Sequence, residues 1–229
     1  MWKSTFSGVL LVVGCLVFGQ STQPLQNLLN QDSLPKYSLR SLSVNYNVLR
    51  LGETMLNQPR NGQEIQGELA IHKFNIIVDY GTQKTQRGED YSYTNDGSYW
   101  RAGIDVNMSA NWQDGNMVGM GLRYCQATFD ESTTVIQRLE DVDGNVFFEQ
   151  PIDLRNPNVS AQWAELVFKM RGKIWKNLYT GYTMRFQFFM NTDVEDSELR
   201  PFDIPGYGKT TKPNSFGFDY YVGWRFNFN

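Results

Sequence analysis

Every even-numbered residue from Phe216 to Phe228 is apolar: Phe216, Phe218, Tyr220, Val222, Trp224, Phe226 and Phe228. Between them stand Gly217, Asp219, Tyr221, Gly223, Arg225 and Asn227. A period of two belongs to a β-strand, whose side chains point alternately to opposite faces. A run of this length is long for a soluble sheet, where strands of about five or six residues are common. The apolar row therefore faces either a large protein core or a membrane.

The same period recurs upstream. Leu42, Val44, Tyr46 and Val48 alternate with polar residues, as do Ile65, Leu69 and Ile71. The phase slips at His72 and Lys73, which marks a tight turn, before Phe74, Ile76, Val78 and Tyr80 resume it. Further rows are Trp100 to Met108, Val118 to Tyr124, Ala164 to Met170 and Tyr182 to Phe188, giving eight predicted strands with the last. The connections alternate long and short: Leu51 to Gln63, His72 and Lys73, Lys84 to Gly97, Ser109 to Asn116, Asp130 to Val159, Gly172 to Lys176, and Met190 to Asn214. Such sorting fits an antiparallel up-and-down barrel whose strand ends face two compartments, with short periplasmic turns and longer outer loops.

Alternation alone does not say which face is outside, because soluble barrels also alternate, with the apolar face inward. Composition separates the two. A soluble exterior is crowded with Lys and Glu, whereas these polar rows are rich in Gly, Ser and Asn. Their charges are Glu68, Asp79, Asp105, Glu165 and Asp219 against Arg101, Arg123, Lys169, Arg185 and Arg225. Equal numbers of each sign suit a packed interior in which every buried ion needs a partner. Trp100, Trp112, Trp163 and Trp175 fall near predicted strand ends, as an aromatic girdle requires. The expected fold is thus all-β, an eight-stranded transmembrane barrel of outer-membrane type with a filled, non-conducting lumen.

The N-terminus has one Lys3, an apolar run from about Phe6 to Phe18 and small residues before a polar stretch, the layout of a secretory signal peptide. The expected division is a signal peptide over 1–19, a periplasmic segment over 20–36 and the barrel over 37–229. A competing reading takes Val12, Val13 and Gly14 before Cys15 as a lipoprotein cleavage box that leaves Cys15 acylated. After the signal, no apolar run approaches the roughly eighteen residues a membrane helix needs. Cys125 is then the single mature cysteine, so no internal disulfide forms. The net charge of −3 argues against a general nucleic-acid binder.

The last strand carries a more specific signal. Tyr221, Gly223, Phe226 and Phe228 resemble the C-terminal targeting signal of bacterial outer-membrane barrels, although Asn229 extends beyond the usual aromatic ending. GSYWRAGIDV (Gly97 to Val106), GLRY (Gly121 to Tyr124), NLYTGYTMRF (Asn177 to Phe186), IPGYG (Ile204 to Gly208) and FGFDYYVGW (Phe216 to Trp224) extend the likeness across most of the mature chain. These stretches resemble a family of small Gram-negative outer-membrane proteins known mainly as a domain of unknown function. The resemblance implies a barrel in the outer membrane and supplies no catalytic residues.

Histidine is informative by its scarcity. Barrel enzymes of the outer membrane resemble one another in using a histidine base near the outer face or the bilayer, and the one histidine here, His72, sits in a predicted periplasmic turn. The expectation is a protein that is not an enzyme and uses no metal or other cofactor. EDVDGNVFFEQ (Glu140 to Gln150) has alternating donors, but its glycine is at the fourth loop position and Ile152 stands where a closing Glu belongs, so a DGN hairpin turn is the better reading. The outer loops are acidic, with Asp193, Glu195, Asp196 and Glu198; a solvated rim is the plain reading and divalent bridging to lipopolysaccharide the sharper one. Phe147, Phe148, Phe202, Ile204 and Tyr207 are apolar residues in those loops and are candidate partner contacts.

With neither pore nor catalytic constellation, function is expected on surfaces. The leading expectation is an accessory, stabilising subunit of a larger outer-membrane assembly, for example lipopolysaccharide export or barrel assembly. The alternative is an autonomous surface barrel that binds extracellular ligands or supports the envelope. Expected partners are membrane lipid, lipopolysaccharide and a larger outer-membrane complex, with no nucleic acid.

Overall fold

A computed structural model describes residues 39–56, 58–88, 92–109, 115–140, 146–193 and 201–228, the side chains of 137–140 and 146–149 excepted. The signal peptide, the periplasmic segment, Trp112, the DGN turn and Glu195, Asp196 and Glu198 lie outside the described residues. The chain runs through β1 (Leu39–Asn47), α1 (Val48–Met55), β2 (Arg60–Ile71), β3 (Phe74–Arg87), β4 (Ser92–Asn107), β5 (Met117–Glu140), β6 (Val146–Trp175) and β7 (Leu178–Asp193). Two short strands, β8 (Asp203–Ile204) and β9 (Gly208–Lys209), precede β10 (Asn214–Asn227).

Eight of these strands close a barrel in the order β1-β10-β7-β6-β5-β4-β3-β2, every neighbouring pair antiparallel. Closure comes where β1 pairs with β10, from Ser41 opposite Asn227 to Asn47 opposite Tyr221. Over that length it satisfies the sheet edges, a requirement for any sheet that crosses hydrocarbon. The tight turn falls at His72 and Lys73, with Ile71 opposite Phe74 and His72 at φ 54°.

The apolar rows face out. Phe74, Ile76, Val78 and Tyr80 of β3 are exposed, as are Ile104 and Val106 of β4, Met120 and Leu122 of β5, and Phe216, Phe218, Trp224 and Phe226 of β10. Aromatics edge this band: Tyr80 lies opposite Trp100, and the Trp100 and Tyr124 rings are 5.6 Å apart. Above Tyr80 the outward row of β3 changes to Thr82, Lys84 and Gln86, so the apolar band ends there. An exterior that is continuously apolar around a closed barrel is stable against lipid and not against water.

Three expectations need correction. The predicted long loop Lys84 to Gly97 is largely strand, because β3–β4 pair as far as Arg87 opposite Tyr93. Asp130 to Val159 is strand as well, β5–β6 pairing as far as Glu140 opposite Val146, which is the continuation that the hairpin reading, with Val135 to Leu139 and Val146 to Phe148 on either side of DGN, implied. Trp163 does not belong to the girdle: it is fully buried and faces inward, its Nε1 donating to Glu165 at 2.8 Å. The first outer connection holds a helix, α1, which Asn47 caps by accepting from the Leu49 and Arg50 N–H groups at 3.1 and 3.3 Å.

Candidate functional site

The inward rows place charges at successive heights. Arg101, on β4, lies 3.0 Å from Glu64 and 3.2 Å from Glu165. Arg123, on β5, donates to Asp79 at 2.6 Å and Asp105 at 3.3 Å. Arg185, on β7, donates to Glu64 at 3.1 Å, lies 3.5 Å from Glu165 and contacts Asp219. Lower down, Lys169 donates to Glu68 at 2.6 Å, and Arg171 pairs with the other oxygen of that carboxylate. All these residues are buried. Glu64 and Glu165 are each shared between Arg101 and Arg185, and Asp79 between Arg101 and Arg123, so cations from different strands tie the walls together, and each of these desolvated ions keeps a partner.

Nine of the ten sequence-predicted lumen charges meet in this network. Arg225 does not. Among the described residues it pairs with no acid: its Nε donates to Asn227 at 3.0 Å, and its guanidinium lies 5.8 Å from the Tyr179 ring. The side chain reaches toward the turn at Gly115, where a Cβ would sit 2.5 Å from its Nη1, instead of toward the carboxylates. Glu64 and Arg171 are the members that sequence reasoning passed over. They stand in the same alternating polar rows, opposite Ile65 and Met170, so counting every charge in those rows would have included them.

The C-terminal signal residues divide between faces. Phe226 and Phe228 are exposed, whereas Tyr221 is buried and faces the lumen. Gly223 also faces inward, and a Cβ there would lie 1.8 Å from Asn45 Oδ1 and 2.8 Å from the Val44 carbonyl oxygen, so a side chain at this point would displace Asn45 and crowd the β1 backbone.

Above the ion pairs residues 201–208, between β7 and β10, fold into the mouth. Ile204 is fully buried and Tyr207 nearly so, which corrects the expectation that they are exposed partner contacts. Tyr207 packs edge-on against Trp163 and Phe189, with ring centroids 5.8 and 5.9 Å apart. The Gly206 carbonyl accepts from Arg101 at 3.2 Å and Gln187 at 3.0 Å. Asp203 accepts from Thr85 at 2.8 Å and pairs with Arg60, while its own carbonyl accepts from Asn95 at 2.7 Å. Phe202 is half-buried, its N–H donating to Glu131 at 2.9 Å and its ring lying edge-on to Tyr93. Phe147 and Phe148 are in β6, and their side chains lie outside the described part. Sequence offers no sign that this loop turns inward, since a Pro-Gly-aromatic turn reads the same on a surface.

Gly206 takes φ +79°, and a Cβ on it would approach the Tyr99 ring to 2.7 Å. The position therefore needs a glycine both for backbone conformation and for space. Burial raises the Glu131 carboxyl above the usual carboxylate range, against the hydrogen bonds it accepts from the Phe202 N–H and from Tyr93. Among the described residues no three His, Cys, Asp or Glu side chains group as metal ligands.

A closed eight-stranded barrel with an apolar exterior, a charge-paired lumen and a loop in its mouth is a transmembrane β-barrel of outer-membrane type. The chain belongs to the family described as Domain of unknown function (DUF6048), which matches residues 1–226. Among solved structures it is similar to the crystal structure of Acinetobacter baumannii CarO2, at 12% identity and a TM-score of 0.39, over 85% of this chain and 100% of that one. No curated protein matches the chain.

Proposed function

We propose that this barrel is a non-enzymatic, non-conducting accessory subunit of a larger outer-membrane assembly, with its longer connections outside the cell and its apolar wall against lipid and lipopolysaccharide. The observation that carries this reading is the β5–β6 hairpin. β4 pairs with β5 as far as Thr134, and β7 with β6 as far as Ser160. Beyond those points the hairpin continues to Glu140 and Val146 with β5 and β6 paired, among the described residues, only to each other. Val135, Ile152 and Leu154 share one face of it and are exposed; Ile136 is exposed on the other.

An isolated two-stranded ribbon is marginal in water, and a ribbon with two free edges invites pairing with another chain. An apolar face on such a ribbon is suited to burial against a partner protein. Since the hairpin stands beyond the apolar band, lipid does not cover it.

The test is a photocrosslinking residue at Leu154, with a second variant carrying it at Lys173 near the opposite barrel end. Both are expressed in native membranes and extracted in mild detergent. The expected result is one larger membrane protein recovered in stoichiometric amount and crosslinked from position 154 and not from 173. Recovery as a lone barrel, with no crosslink from the hairpin, would overturn the accessory reading in favour of an autonomous surface barrel.

A further inference from the structure

β1 is too short to close the barrel over its whole height. It ends at Asn47, opposite Tyr221 of β10 and one residue past Tyr46, which lies opposite Ile65 of β2. β10 continues up to Asn214 and β2 to Arg60, so their upper stretches face each other across a notch. The notch lies at the upper rim of the apolar band: Phe216 and Phe218 on its β10 side are exposed and belong to the outward apolar row, whereas its β2 side begins above Ile65, opposite Tyr80, where that band ends. α1 fills it, touching both β2 and β10. Thr54 Oγ1 accepts from the Gly62 N–H and donates to the Gly62 carbonyl, each at 3.0 Å, so the helix satisfies the β2 edge groups that β1 leaves open.

Along α1, between it and the Gly208–Phe216 stretch, runs an open cleft of about 1090 Å³. Its walls are of two kinds. Leu49, Leu56 and Phe216 offer exposed apolar surface on the lipid side. Arg60, Arg87, Lys209 and Lys212 line it with four cations, against a single acid, Glu53, which itself faces Arg50 at 3.8 Å. Arg60 is neutralised by Asp203 beneath it. Arg87, Lys209 and Lys212 have no acid partner among the described residues. Phe202 holds two of them together, with Arg87 5.7 Å and Lys209 5.8 Å from its ring centroid. The chain as a whole carries a net charge of −3, so this concentration of positive charge runs against its composition.

We infer that the notch above β1 is a binding site for a phosphate-bearing membrane lipid: the phosphate rests on Arg87, Lys209 and Lys212, and an acyl chain lies along Leu49, Leu56 and Phe216. Arginine and lysine side chains are the usual phosphate donors, and an amphiphile is the ligand class that matches a basic pocket opening sideways into a bilayer. The inference rests on the barrel spanning the membrane and is independent of the partner assigned to the hairpin.

Native mass spectrometry of the full chain in mild detergent tests it, titrating diphosphoryl lipid A, its dephosphorylated form, and inorganic pyrophosphate. The expected result is at least tenfold tighter binding of the diphosphoryl lipid than of either comparison probe. The double variant Arg87→Gln, Lys212→Gln loses that preference about tenfold, whereas Lys173→Gln, remote from the notch, keeps it. Heat-modifiable electrophoretic mobility establishes that each variant is a folded barrel. Three results would overturn the inference: equal binding of the dephosphorylated lipid, pyrophosphate binding as tightly as the lipid, or a folded double variant that binds like the parent.

Discussion

Glu68 accepts from Lys169 at one oxygen and from Arg171 at the other, and all three residues are buried. Glu68→Gln therefore strands two cations in the lumen. Removing one partner of a buried ion pair costs about 3–5 kcal/mol, whereas replacing the whole set by apolar groups of similar volume can be neutral. The expected outcome is a loss of about 3–5 kcal/mol in urea unfolding from lipid vesicles for Glu68→Gln, with much of it recovered in the triple variant Glu68→Leu, Lys169→Met, Arg171→Met. A second residue is sensitive to pH. Burial raises the Glu131 carboxyl, so the folded state favours its protonated form. A group raised in this way adds stability at pH values below its ordinary range and loses that contribution as pH climbs through the raised value. The hydrogen bond from the Phe202 N–H opposes that shift, since an amide donor favours the ionised carboxylate, so docking of Phe202 should loosen as Glu131 protonates on lowering the pH. Glu131→Gln keeps the acceptor and removes the charge; hydrogen exchange at the Phe202 amide, corrected for intrinsic rate, should become independent of pH in that variant.

Among the elements, α1 is the one whose removal the barrel wall tolerates least, because it replaces a missing length of strand. Thr54→Val keeps the shape of the side chain and deletes both hydrogen bonds to Gly62. Leaving those edge groups unpaired costs on the order of 1–3 kcal/mol, and faster amide exchange at Gly62, with Gly67 on the same strand unchanged, would show that the loss is local. α1 was not legible in the sequence, since Val48 continues the alternation of β1 and the helix buries none of its own residues. The strands were legible wherever they cross lipid, because each outward position there must be apolar and the period of two survives intact. The β3–β4 extension was missed for the same reason in reverse: beyond the bilayer Thr82, Lys84 and Gln86 face water, the apolar row vanishes, and hydrogen bonding continues without a signature, whereas the β5–β6 extension was readable from the turn chemistry of DGN. Trp163, Ile204 and Tyr207 were misplaced because an apolar side chain near a strand end or in a loop reads alike whether it meets lipid, solvent or the barrel mouth.

At the scale of the molecule the lumen is closed twice in series. The Pro201–Gly208 stretch caps the mouth, anchored by Asp203 on Arg60 and Thr85 and by the Gly206 carbonyl on Arg101 and Gln187. Below it, Arg101, Arg123 and Arg185 with their carboxylates fill the cross-section of a barrel whose interior is just wide enough for side chains. The two seals share Arg101, yet most of the ion pairs involve no loop atom, so undocking the loop leaves them in place. Gly206→Val is a direct way to undock it, since φ +79° and the Tyr99 ring both exclude a side chain. In planar bilayers the parent barrel is expected to show no steady conductance, and Gly206→Val alone should remain silent. Adding Arg101→Ala, Arg123→Ala and Arg185→Ala to Gly206→Val removes the cations of the second seal as well and should yield reproducible openings. Conductance from Gly206→Val alone would mean that the loop is the gate and the ion pairs line a permeable path, which is the outcome that two seals in series forbid.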